Sequence, residues 1–145
     1  MPHLKVPITR AGALVPVIIS RSTTEAAELT RQGQRIPDPL PVLALIDIGS
    51  GDSFISARVV AHLEPATVGS EGRVSLGTGS KEVLHSQFQV DMTLPHHRHI
   101  LTARNFPVLQ ADCDCQGFPA VLGRDFLGTC VVVYDGEHGI CTLCF

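Results

Sequence analysis

A run of apolar residues that ends on a carboxylate constrains this chain most. Residues 42–46 (VLALI) lead straight into Asp47, Ile48, Gly49 and Ser50. Five successive apolar side chains leave no polar face, so the run is predicted to be a strand buried on both faces. An ionised Asp at the end of such a strand costs several kcal/mol, roughly, unless hydrogen bonds or a shared proton compensate it. Gly49 lets the chain fold back so that backbone N–H groups reach the carboxylate. A second carboxylate within about 3 Å would share one proton with the first and split the pair into a base and an acid. Such a couple activates water and protonates a leaving amine without a covalent intermediate.

The rest of the sequence reads as a β-rich framework around that turn. The 145 residues suit one domain, and 44% hydrophobic against 17% charged residues suits a packed core. Thirteen glycines, ten prolines and no tryptophan point to many short turns. Leu4, Val6 and Ile8 alternate as a strand that Pro7 restricts to an edge or terminus. Residues 13–20 (ALVPVIIS) form a second strand. Ser22 and Glu25 have capping-box spacing, and Gly33 is placed to end the helix they begin. Pro37, Pro39 and Pro41 form a stiff connector. A short helix is expected over 57–63 and a long hairpin over 72–94. The hairpin's tip is Gly77, Thr78, Gly79 and Ser80, and its apolar face is Val83, Phe88, Val90, Met92 and Leu94, with a phase change near Ser86. Further strands are expected over 100–109 and 120–123, then a short helix from Arg124 to Leu127 and a terminal hairpin over 131–145.

Charge and cysteine content narrow the function classes. Eleven basic and 14 acidic residues leave a net charge of −3, so no basic field exists to hold nucleic acid. No apolar run approaches the roughly 20 residues of a membrane helix, and MPHLKVPITR has no apolar leader segment, so a cytoplasmic location is expected. Among five cysteines, Cys113 and Cys115 form one close pair and Cys141 and Cys144 another. Four thiolates suit a tetrahedral zinc site. Strand alternation over residues 140–145 sends Cys141 and Cys144 to opposite faces, which favours small hydrophobes over ligands and no bound metal. His96, His97 and His99 also invite a metal reading, against that of a solvated turn between strands.

The residues 45–56 (LIDIGSGDSFIS) resemble the first signature of the retropepsin-like aspartic proteases: two apolar residues, then Asp-Thr-Gly-Ala. Val121, Leu122, Gly123, Arg124 and Asp125 resemble the second signature, two apolar residues followed by Gly-Arg-Asp/Asn and a helix. The glycine-tipped hairpin lies between them, where the family has its flap. The closing strand resembles a retroviral protease terminus. The resemblance runs over residues 4–145, with 21–41 as an insertion, and is nearest to bacterial single-domain members. It implies an all-β fold: a closed acid-protease barrel with a flap hairpin and a short C-terminal helix. To these the sequence adds a short inserted helix near residues 22–32.

The implied activity is peptide-bond hydrolysis without a cofactor. Asp47 is the implied catalytic residue, Ile48, Gly49 and Ser50 its turn, and Gly77, Thr78 and Gly79 the flap over the peptide. Gly123, Arg124 and Asp125 are the implied structural support. Asp52 has two readings, a pair with Arg124 or a substrate-facing group. Asp47 begins the only Asp-x-Gly in the chain, so a dyad requires two copies in a homodimer. The family's Thr or Ser after the catalytic Asp is Ile48 here. A hydroxyl bond beneath the dyad is thus replaced by apolar contact. A second function class follows from that departure: a dimeric peptide-binding or scaffold protein with little turnover.

Overall fold

The computed structural model describes residues 1–74, 82–113 and 117–145. Gly77, Thr78 and Gly79, read above as the flap tip, lie outside the described residues, as do Asp114 and Cys115. Among the described residues, ten strands and three short helices follow in the order β1 (His3–Thr9), β2 (Gly12–Arg21), α1 (Thr23–Arg31), β3 (Leu40–Ile46), β4 (Phe54–Ile55), α2 (Ala57–Leu63) and β5 (Thr67–Val74). Then come β6 (Glu82–Leu94), β7 (Leu101–Gln110), β8 (Ala120–Leu122), α3 (Arg124–Leu127), β9 (Val131–Asp135) and β10 (Ile140–Cys144).

Six of these strands close into a barrel. In order β2, β3, β8, β4, β7 and β6 are hydrogen-bonded neighbours, and Ile18–Arg21 of β2 pair back onto β6. Alternation in β2 places Ala13, Val15, Val17 and Ile19 inside, where they meet Phe88, Val90, Met92 and Leu94 of β6 in one buried cluster. Each such aliphatic side chain contributes roughly 1.5–3 kcal/mol of burial. Outside the barrel, β5 extends β6 as a hairpin arm. β1, β10 and β9 continue the sheet from β2. No helix among the described residues is long and apolar enough to cross a membrane.

Four prolines lie inside strands, Pro7, Pro16, Pro41 and Pro107, and each has a ladder partner on one side only. Pro41 belongs to β3 rather than to the connector: it pairs with Ile18, but β8 reaches only Ala44–Ile46 on the other side. Pro7 pairs with Ile140, while β2 pairs only with Ile8 and Thr9. In each case the proline's missing N–H is tolerated because the ladder is one-sided there. The reading of 42–46 as a strand buried on both faces is corrected: only Ala44 is fully buried, and Leu43 is 49% exposed. At its β8 end, however, Leu45 packs with Leu14, Phe54, Phe118 and Val121 in a second apolar cluster, so that end is covered on both sides.

The hairpin's first arm starts earlier than predicted, at Thr67. The sequence TVGSEGRV lacks a strand pattern; pairing with β6 imposes one, with a register shift between Thr67 and Gly69. Val83 does not join the buried face and is 42% exposed.

The inserted helix is docked by polar groups, with no buried residue of its own. Ser22 Oγ accepts the Glu25 N–H at 3.2 Å. The Glu25 carboxylate does not complete a capping box; it accepts the Ala66 N–H at 2.7 Å, and Arg21 donates to the carbonyls of Leu63 and Glu64. Asp91 accepts from Thr23 N at 3.0 Å, Thr23 Oγ1 at 2.5 Å and Asn105 N at 2.8 Å, tying α1 to β6 and β7.

Candidate active site

The Asp47 turn is built where a parallel pair of strands ends. β3 and β8 match Ala44 to Ala120, Leu45 to Val121 and Ile46 to Leu122. Asp47 continues the ladder by one step, its N–H donating to Leu122 O at 3.0 Å. The chain then reverses. Ser50 N–H donates to Asp47 O at 3.2 Å, and Gly49 N–H donates to the Asp47 Oδ1 at 2.9 Å. A Cβ on Gly49 would stand 3.1 Å from that same oxygen, so glycine permits the close approach. Asp47 is half-buried, while Ile48 projects with 63% of its surface exposed.

The segment 123–125 clamps this turn from the other side. Helix α3 starts at Gly123, which has no side chain to cap it. Its first donors are instead taken by the turn: Arg124 N–H reaches Ser50 O at 2.9 Å and Asp125 N–H reaches Gly51 O at 3.3 Å. The Arg124 guanidinium, through Nη1, donates to Ile48 O at 2.9 Å and Gly49 O at 3.1 Å. Ser50 Oγ donates to Asp52 O at 2.6 Å. Gly123 lies so close to the Asp52 main chain that an added Cβ would sit 2.3 Å from its carbonyl oxygen.

A residue without any sequence signature completes the clamp. Ser53 is fully buried. Its Oγ accepts the Gly123 N–H at 3.0 Å and donates to Asp125 Oδ1 at 2.7 Å, while its N–H donates to Asp125 Oδ2 at 3.0 Å. Asp125 Oδ1 also accepts the Phe126 N–H at 2.8 Å. The only trace in the sequence was a short polar residue between Asp52 and Phe54, facing an Asp in the second segment. Only folding brings those two together.

Phe54 meets His85 edge-on at 5.5 Å between ring centroids, and His85 Nδ1 shares a 2.8 Å hydrogen bond with Gln110 O at the base of the β5–β6 hairpin. Cys141 is buried and Cys144 half-buried on the opposite face of β10, as strand alternation predicts. Among the described residues no group of three or more His, Cys, Asp or Glu side chains is placed to hold a metal ion. Burial pushes the thiols of Cys130 and Cys141 above the ordinary cysteine range.

The closed six-stranded barrel has a solved counterpart. A retropepsin-like aspartic protease from Rickettsia conorii superposes with a TM-score of 0.58, covering 98% of this chain and 90% of that one at 9% identity. The chain has the retropepsin-like fold. At that identity the likeness is one of architecture alone. No family model matches the sequence, and no curated protein matches it significantly. Within the retropepsin-like frame, the Asp47 turn and the 123–125 segment form one hydrogen-bonded unit at the barrel's end.

Proposed function

We propose that this chain acts as a homodimeric aspartic endopeptidase, with one Asp47 from each subunit. The carrying observation is the rigid presentation of the Asp47 carboxylate: half-buried, with Oδ1 held by the Gly49 N–H and its turn clamped by Arg124. The retropepsin-like fold supports the same reading.

In the dimer the two carboxylates share one proton, because two such charges about 3 Å apart cannot both ionise. Water lies between them. The ionised carboxylate takes a proton as the water oxygen attacks the scissile carbonyl carbon, and the protonated one gives its proton to the carbonyl oxygen. The tetrahedral intermediate then collapses: the newly protonated carboxyl gives its proton to the amine nitrogen, the C–N bond breaks, and one hydroxyl passes its proton to the other carboxylate as the C=O bond re-forms, which returns one proton to the couple. The substrate is an extended peptide or protein segment read by strand addition, with 77–79 closing over it. No cofactor enters the reaction. Ile48 packs against its mate across the two-fold axis, which accounts for a large apolar side chain left 63% exposed in the single chain.

The test is cleavage of a mixed peptide library by wild type and Asp47→Asn across pH 3–8, with oligomeric state followed by sedimentation. Wild type is expected to cleave with a bell-shaped pH profile and the variant to be inactive. Equal cleavage by both refutes the proposal. Ile48 also favours a second reading, a peptide-binding dimer without turnover, because the turn offers no hydroxyl at that position. Peptide capture without cleavage by wild type, together with gained cleavage in Ile48→Thr, would select it.

A further inference from the structure

A second groove shares no lining residue with the Asp47 turn. It has a volume of about 700 Å³ and lies between β1 and the β6–β7 loop. Six basic side chains line it: His3 and Lys5 from β1, and His96, His97, Arg98 and His99 from the loop. Met1, Pro2 and Leu4 supply the rest of the lining, and no Asp or Glu contributes. The imidazoles are close: ring centroids of His96 and His97 are 4.2 Å apart, and those of His96 and His99 6.4 Å. Phe145, just beyond β10, meets His96 edge-on at 6.5 Å.

We propose that this groove binds short acidic peptide segments, and binds them more tightly as pH falls through the histidine range. Lys5 and Arg98 join the four histidines in the lining, and a carboxylate ligand offsets the mutual repulsion of imidazoles that carry protons. Desolvation first, and then the charges of His97, His99, His3 and Arg98, hold His96 below the usual imidazole range. An anion that binds the charged imidazoles must therefore draw protons in with it.

Charge complementarity selects an acidic ligand, and two further features select a short peptide. The net charge of −3 repels a long polyanion from the rest of the surface. The apolar stretch of Met1, Pro2 and Leu4 beside the cations suits a ligand with carbon side chains as well as carboxylates. This inference does not depend on peptidase activity.

The experiment measures anisotropy of a fluorescein-labelled, end-capped Glu-Leu-Glu-Glu peptide on the full chain at pH 5.5 and 7.5, with Lys-Leu-Lys-Lys as the control probe. Affinity is expected to be roughly fivefold or more higher at pH 5.5, about what one imidazole contributes over this window when binding raises its pKa by one unit. The quadruple variant H3Q/H96Q/H97Q/H99Q should lose the pH dependence. The triple variant H96K/H97K/H99K should bind at both pH values, which excludes misfolding as the cause. Asp47→Asn should bind as wild type does, separating this groove from the dyad. Equal wild-type affinity at the two pH values overturns the proposal, as does retained pH dependence in the glutamine variant. Displacement by millimolar inorganic phosphate as effective as by unlabelled peptide also overturns it, reducing the groove to a simple anion site.

Discussion

Replacing Gly123 by alanine tests the clamp with one methyl group. Gly123 has φ −87° and ψ −177°, an extended conformation open to any residue. Backbone entropy alone would therefore make Gly123→Ala stabilising by about 0.4–1 kcal/mol. The surroundings predict the opposite. The new Cβ would lie 2.3 Å from Asp52 O, 2.5 Å from Asp52 C and 3.0 Å from Asp52 N. An ordinary C···O approach is roughly 3.3 Å or more, so the two main chains must part by about 1 Å. Asp52 is poorly placed to yield, since its carbonyl accepts Ser50 Oγ and the next residue is held by Asp125. Parting them also stretches the buried bond from Gly123 N–H to Ser53 Oγ. Overpacking at about 1–3 kcal/mol and an orphaned buried N–H at a similar cost give about 2–6 kcal/mol of destabilisation. Urea unfolding with linear extrapolation measures it, and the midpoint temperature should fall by roughly 10 °C or more. Gly33→Ala is the contrast: nothing lies within 4 Å, but φ is +67°, so a loss of only about 1–2 kcal/mol is expected. A Gly123→Ala protein within 1 kcal/mol of wild type would refute the account of the clamp.

Three other outcomes follow from the same coordinates. Ile48→Asp removes about 1–2 kcal/mol of apolar contact per subunit and sets two charges against each other, so sedimentation equilibrium should show dimer dissociation rising at least roughly 30-fold; an unchanged dimer would remove Ile48 from the interface. Asp91→Ala leaves the N–H groups of Thr23 and Asn105 without their acceptor and should cost about 2–3 kcal/mol in urea unfolding, while a loss under 0.5 kcal/mol would mean that the inserted helix is held otherwise. Cys141 is fully buried with its thiol pushed up by desolvation, so the folded state prefers the protonated form. That contribution is complete below the unfolded thiol's pKa and is lost as pH rises through the folded one. Cys141→Ala should therefore flatten the fall in stability above about pH 9, measured by urea midpoints from pH 7 to 11.

Local pattern carried much of this molecule. The alternation of Val15, Val17 and Ile19, the capping serine at 22, the Asp47 turn and the terminal hairpin are set by side-chain period and turn chemistry within a few residues. They were readable for that reason. The misreadings share a different cause. Pro41 enters a strand because β8 stops short of it, Leu43 is exposed because nothing covers that part of β3, and TVGSEGRV becomes β5 because β6 offers it a ladder. Each depends on a neighbour distant in sequence.

The candidate site divides the same way. Periodicity and glycine placement alone put a carboxylate at the end of an apolar strand and a second Gly-Arg-Asp segment before a short helix. Closure of the barrel then laid those segments side by side, made buried Ser53 the hinge between Gly123 and Asp125, and brought four histidines from two parts of the chain to one groove. A hydrogen bond between residues 70 positions apart, such as that from Gly123 N–H to Ser53 Oγ, leaves no mark on local propensity, because its energy exists only once the intervening strands have packed.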